Sequence, residues 1–247
     1  MEKNALRKTV YAFNNTDTVA TYDFDMDVWH PNRAKMASIV CEILPFQRTE
    51  KLSILDLGVG TGYLTSRILE TFPSAKIIAV DAAELMVEKA KLRLKDYQKQ
   101  VLFRISTFQE LPDKGNTTLA NLDIVVSSFA LHHLYKEEKL RLLTYIYSVL
   151  KPNGWFINCD IVKIANTFLE GRFRYLHHRG IQQRIKQIDH IEKPIDQISA
   201  ELMEREKKGG DHPLLLTDDI QLLKEAGFSA AECFWKEYRE TVYGGIK

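Results

Sequence analysis

Short apolar runs alternate with amphipathic stretches along the middle of the chain. The runs fall at residues 53–57, 76–80, 101–105, 122–128 and 155–162. Several are apolar through their centres, as in Ile124-Val125-Val126, which is the pattern of a strand covered on both faces. Between them, apolar positions recur at helical spacing over 62–72, 84–94 and 136–150. Strand and helix in alternation predict a parallel sheet with helices on both sides. Ligands of such sheets sit beyond the C-terminal ends of the strands, where the strand order reverses, here between the first and fourth strands.

The two flanks read differently. Ahead of the first strand, Ala34, Ile39, Val40, Ile43 and Leu44 share one helical face, predicting a helix of about three to four turns. The aromatics Tyr11, Phe13, Tyr22 and Trp29 precede it and serve either as core fillers or as walls of a site. After the fifth strand the alternation stops between residues 163 and 213. A connection that long with helical periodicity predicts a helical lid over the strand ends. Thr217-Asp218-Asp219 then opens a last helix, and 231–238 and 240–246 read as two closing strands. The expected organisation is a single domain, 1–247: a cap (1–50), a core (51–162), a lid (163–213), and a last helix with a hairpin (214–247).

Composition narrows the class. Lys+Arg 34 against Asp+Glu 33 in 247 residues leaves no global field for nucleic acid or an anionic membrane. Cys41, Cys159 and Cys233 are odd in number and widely spaced, predicting reduced thiols in the cytoplasm and neither disulfides nor a zinc site. No run reaches 18 apolar residues, so a soluble protein is expected. No H-x-x-x-H pair or carboxylate triad stands out, and no metal is expected.

Chemistry concentrates where the first strand ends, in Asp56-x-Gly58-x-Gly60-x-Gly62. Glycine lets the backbone turn tightly and lets a ligand lie against bare main chain, and the helix beyond points free N–H groups at it. The spacing is not the dinucleotide G-x-G-x-x-G, since Tyr63 follows Gly62, and no Gly-Lys-Ser/Thr closes a phosphate loop. Asp81 ends the second strand, placed either to accept hydrogen bonds from two ribose hydroxyls or to cap the helix at 84–94.

The glycine loop resembles motif I of the class I S-adenosylmethionine-dependent methyltransferases, and Phe129-Ala130-Leu131-His132-His133-Leu134 resembles their segment after the fourth strand. The resemblance covers about residues 20–162 and 214–247, leaving the lid unmatched. It implies a Rossmann-like three-layer α/β/α sandwich with a mostly parallel seven-stranded sheet and a C-terminal antiparallel hairpin. It implies S-adenosylmethionine as cofactor, held by Asp56, Gly58, Gly60, Gly62, Asp81, Met86 and Ser128, with Tyr22 of the Tyr-Asp pair close by. Where the family usually carries an aspartate after the third strand this chain has Thr107, a departure that offers one hydrogen bond and no charge. Phe108 follows it as a stacking surface for adenine.

A sulfonium methyl is already electrophilic, so a base is needed only for an acceptor such as a hydroxyl. His133, and after it His132, is the candidate base, against a purely structural role. In the lid, Arg172, Arg174, His177 and His178 either form a solvated face or favour an anionic substrate. The expected activity is methyl transfer to a small molecule by a monomer or homodimer. The alternatives are an RNA-modifying methyltransferase, which the balanced charge disfavours, and a non-catalytic cofactor-binding protein.

Overall fold

The structure, a computed structural model, describes residues 10–113 and 119–247. The first nine residues of the expected cap lie outside the described residues. Two helices open the fold, α1 (Thr16–Trp29) and α2 (Arg33–Ile43). Then follow β1 (Ser53–Leu57), α3 (Tyr63–Thr71), β2 (Lys76–Asp81), α4 (Glu84–Arg93), β3 (Val101–Ile105) and β4 (Leu122–Ser128). The chain continues through α5 (Lys136–Val149), β5 (Leu150–Ile161), α6 (Thr167–Asp189) and α7 (Ile195–Gly209). It closes with α8 (Leu216–Glu225), β6 (Ala230–Glu237) and β7 (Glu240–Ile246).

The seven strands form one sheet in the order β3-β2-β1-β4-β5-β7-β6. The first five run parallel, while β7 pairs antiparallel with both β5 and β6, as expected. Leu57 pairs with Val80 on one side and Ser127 on the other. That register brings Gly58, Asp81 and Ser128 to one edge, at the reversal of strand order. The apolar runs of β1, β2 and β4 are explained by burial on both faces. Ile54, Ile124 and Val126 pack with Met36, Val40, Leu64 and Ile68 on one side. Leu55, Leu57 and Val125 pack with Leu142, Ile146 and Leu222 on the other. Each such side chain contributes roughly 1.5–3 kcal/mol.

Two elements depart from expectation. Helix α1 replaces what the sequence left as an aromatic-rich segment; Asn15 caps it by accepting from the Asp17 and Thr18 amides. Strand β5 starts at Leu150, because Leu150 already pairs with Leu122 before the register shifts to Ile124–Trp155. Asn153 absorbs the kink in the left-handed region at φ 62°. Helices α6 and α7 rest on α1 through a small separate cluster of Val28, Trp29, Ile181, Ile198 and Leu202.

Candidate active site

The three glycines of the loop after β1 all lie at positive φ, yet they do different things. A Cβ on Gly58 would fall 2.4 Å from the Ala130 Cβ, so Gly58 is required by close packing. A Cβ on Gly62 would press on Leu94 and Ala90 of the α4 segment. Gly60 alone faces open space, with φ 51° and nothing nearer than its own loop carbonyl at 4.0 Å. The loop is held from behind. The Asp81 carboxylate accepts the Gly60 amide at 2.8 Å and the Ala83 amide at 2.9 Å. Asp81 therefore ties the loop to the end of β2 and is not a conventional cap of α4. Burial pushes its carboxyl above the ordinary range, and these amides act against the rise.

A cavity of about 180 Å³ opens in front of Gly60. Gly58, Gly60, Asp81, Met86, Thr107, Phe108, Ser128 and Tyr22 line it, as the sequence proposed. Asp56 and Gly62 do not. Asp56 lies beneath the loop at 1 % exposure, accepting from the Thr65 hydroxyl, and burial pushes its pKa up to about 7. Sequence reasoning missed Gln109, whose Nε2 donates to Glu138 at 3.0 Å and whose buried Oε1 has no partner. Gln109 lines the cavity beside Thr107 and Phe108. An adenosyl group fits this donor set: a bare backbone at Gly60, a carboxylate with lone pairs to spare for ribose, and an amide oxygen free to accept an exocyclic amino group.

Behind it lies a second cavity of about 1040 Å³, enclosed by α1, α6, the end of α7 and the turn between β6 and β7. Phe13, Tyr22, Phe129, His133, Lys207 and Lys208 line both spaces. Phe129 sits at φ 51°, a strained conformation for an aromatic residue, and its amide donates to the Cys159 carbonyl at 2.7 Å. Tyr22 is positioned through its neighbour Asp23, which accepts from Thr61, Arg33 and Arg93 and so fastens α1 to the glycine loop and α4.

The histidines at the junction are wired differently. His132 is buried, with Nδ1 on Asp160 and Nε2 3.5 Å from Asp211. Burial opposes its charge, but the two carboxylates outweigh it and raise its pKa to about 10. The two carboxylates favour its protonated form, which is not a base, and that sets it behind His133 as a candidate. Burial and the neighbouring His132 charge hold His133 below its ordinary value. Its Nδ1 lies 3.2 Å from Asp211 Oδ1, without hydrogen-bond alignment. Asp160 and Asp211 went unnoticed in the sequence because they lie 28 and 79 residues from His132.

The lid residues divide. Arg172 is exposed, its guanidinium over the Tyr175 ring, and it does not line the cavity. Arg174 does, but it is already paired with Glu170 and Glu206. His177 lines the cavity with Nε2 2.6 Å from the Trp29 carbonyl; burial and His30 push its pKa down to about 4. The cations expected to draw in an anion are thus neutral, paired or outside. Opposite His133, His30 rests on Phe129 and holds Glu240, which Asn32 also contacts.

A family profile described as a methyltransferase domain matches residues 55–156. A carboxy-S-adenosyl-L-methionine synthase of Actinobacillus pleuropneumoniae is 29 % identical over 194 residues, 76 % of this chain and 73 % of that one. A malonyl-[acyl-carrier protein] O-methyltransferase of Acetivibrio thermocellus is 39 % identical over 95 residues, 38 % and 34 % of the two chains. Among solved structures, an O-methyltransferase family protein from Burkholderia thailandensis superimposes with a TM-score of 0.65 at 14 % identity, covering 94 % of this chain and 60 % of its own. Human N-acetylserotonin methyltransferase in complex with S-adenosylmethionine gives 0.54 at 17 % identity, covering 92 % and 58 %. The chain therefore spans somewhat over half the length of these structural relatives, and the likeness to them is one of fold.

Proposed function

We propose that the chain is a class I S-adenosylmethionine-dependent methyltransferase that methylates a small molecule held in the larger cavity. The observation that carries this reading is the shared wall: the adenosyl-sized space and the larger one meet at Tyr22, Phe129 and His133. When bound, the cofactor supplies an electrophilic sulfonium methyl. The residues of this chain hold, orient and shield. Gly60 and Asp81 seat the adenosyl part, with Met86 and Phe108 beside the adenine and Gln109 on its amino edge. Phe13, Trp29, Phe129 and Phe173 offer an apolar, aromatic lining to the acceptor, whose body we take to be apolar or aromatic. Alignment of this kind supplies roughly 7–11 kcal/mol of the barrier reduction. For a hydroxyl acceptor, His133 is the group placed to receive its proton.

Of the two relatives by sequence, one is named as a carboxy-S-adenosyl-L-methionine synthase and the other, matched over a shorter stretch, as a malonyl-[acyl-carrier protein] O-methyltransferase. The near-zero net charge disfavours an RNA substrate, and a walled cavity of this size disfavours a protein that only binds the cofactor. Among the described residues no helix is long and apolar enough to cross a membrane, and the three unbridged cysteines suit the cytoplasm. Incubating the purified protein with methyl-labelled S-adenosylmethionine and a fractionated small-metabolite extract, in parallel with tRNA, tests the proposal. Label is expected in a low-mass fraction only; label in tRNA alone, or cofactor binding with no transfer to either, would refute it.

A further inference from the structure

His132, His133 and Asp211 converge at the junction of the two cavities, each offering one ligand atom, with all three atoms within 4.8 Å of one another. We propose that this is a binding site for one divalent transition-metal ion of the zinc or ferrous type, a site the sequence did not lead us to expect.

Three observations carry it. The first is spacing. Asp211 Oδ1 lies 3.5 Å from His132 Nε2 and 3.2 Å from His133 Nδ1. Ligands about 2.0–2.1 Å from a tetrahedral ion stand roughly 3.3–3.4 Å apart, so the two Asp211 contacts match, and the imidazole pair, within 4.8 Å of each other, has to draw together by at most about 1.4 Å. The second is the unmet need of His133. Its Nδ1 is buried, faces a carboxylate oxygen, and makes no hydrogen bond to it. A cation between the two satisfies both. The third is support behind the ligands. Asp160 takes the His132 Nδ1 proton, and accepts as well from the His132 amide at 3.0 Å and from Asn158 at 3.2 Å. A carboxylate on the far nitrogen fixes the tautomer that presents Nε2 to a metal. Asp211 is pinned too, because the adjacent His212 amide donates to the His132 carbonyl at 2.7 Å.

Two imidazoles and one carboxylate suit zinc or ferrous iron and leave coordination positions open. All three residues line the larger cavity, so those positions face the acceptor. This deepens, and rests on, the reading of that cavity as the acceptor site. With the ion bound, His133 is a ligand and no longer the base, and an acceptor hydroxyl on the ion would lose its proton to water more readily. Its oxygen would then form the new bond to the methyl carbon as the carbon–sulfur bond breaks and the cofactor leaves as a thioether.

Chelator-dialysed full-length protein, titrated with Zn²⁺ alone by calorimetry, should bind one ion with sub-micromolar affinity. Asp211→Asn should weaken binding at least 100-fold, and Asp160→Asn by roughly 10–100-fold. Binding weaker than about 10 μM, or equal affinity in Asp211→Asn, would overturn the site, leaving the cluster a set of hydrogen-bonded and ion-paired side chains. Should the variants not fold, the imidazole resonances of the wild type decide. Zn²⁺ should move those of His132 and His133, and unmoved resonances overturn the site. S-adenosylmethionine binding, measured on the same sample without metal, tests the methyltransferase reading separately.

Discussion

The two cavities were built by opposite means. The smaller is local: Gly60, Asp81, Met86 and Gln109 come from consecutive strand-to-helix junctions, and the parallel register alone places them side by side. The larger is assembled across the whole chain. His30 meets Glu240 across 210 positions, Arg184 of α6 donates to the Val28 carbonyl, and Arg205 of α7 reaches Asp25 of α1. A site made by register changes little when surrounding sequence drifts. A site made by long-range contacts is free to be rebuilt for another acceptor, provided the wall of Tyr22, Phe129 and His133 stays.

The sharpest way to separate the two is at that wall. His133→Gln should lower kcat by roughly 10²–10⁴-fold, the usual worth of a positioned proton-transfer group. Calorimetric affinity for S-adenosylmethionine should change only a few-fold, and unchanged turnover would move proton handling elsewhere. On the cofactor side, Gly60→Val puts a β-branched residue at φ 51° and fills the one glycine of the loop that faces open space. Cofactor affinity should fall by at least about 100-fold, and retained affinity would mean the cofactor does not lie on this loop.

How much of this contrast was legible beforehand follows from the same physics. Strands β1, β2 and β4 were readable because burial on both faces leaves their centres mostly apolar. The glycine loop was readable because positive φ leaves few alternatives. Helix α1 was not: Val19, Met26 and Trp29 do repeat at helical spacing, but Asp23, Asp25 and Asp27 interrupt them. Those acids pair with Arg33, Arg93 and Arg205, whose positions only the fold reveals. The full pairing of Arg174, a candidate for either a solvated face or an anionic substrate, was hidden for the same reason. Its pairing with Glu170 one turn away was visible, but that with Glu206 was not. Thr107 signalled a missing adenine contact, and the amide we propose in its place, Gln109, stands two residues on.

The acceptor side has a pH signature of its own. His177 is held to a pKa of about 4 in the fold, against about 6.5 in an unfolded chain. Between those values the unfolded state binds the proton and the folded state does not, so stability is full above about pH 6.5 and lost as pH falls toward 4. The loss is on the order of 2–3 kcal/mol. Urea unfolding of wild type and His177→Gln across that window should show the variant with the shallower slope; parallel slopes would mean the imidazole titrates normally. The smallest effect belongs to the cofactor side. Gln109→Leu should weaken S-adenosylmethionine by about tenfold, one hydrogen bond's worth, without altering acceptor KM. No change would show that the free amide oxygen faces something other than adenine.

A crystal structure with S-adenosylhomocysteine tests the central claim most directly. The account predicts ribose hydroxyls on Asp81, the backbone of Gly60 against the ligand, and the sulfur at the wall of Tyr22, Phe129 and His133, facing the larger cavity. A ligand seated elsewhere, or one whose sulfur points away from that cavity, would contradict it.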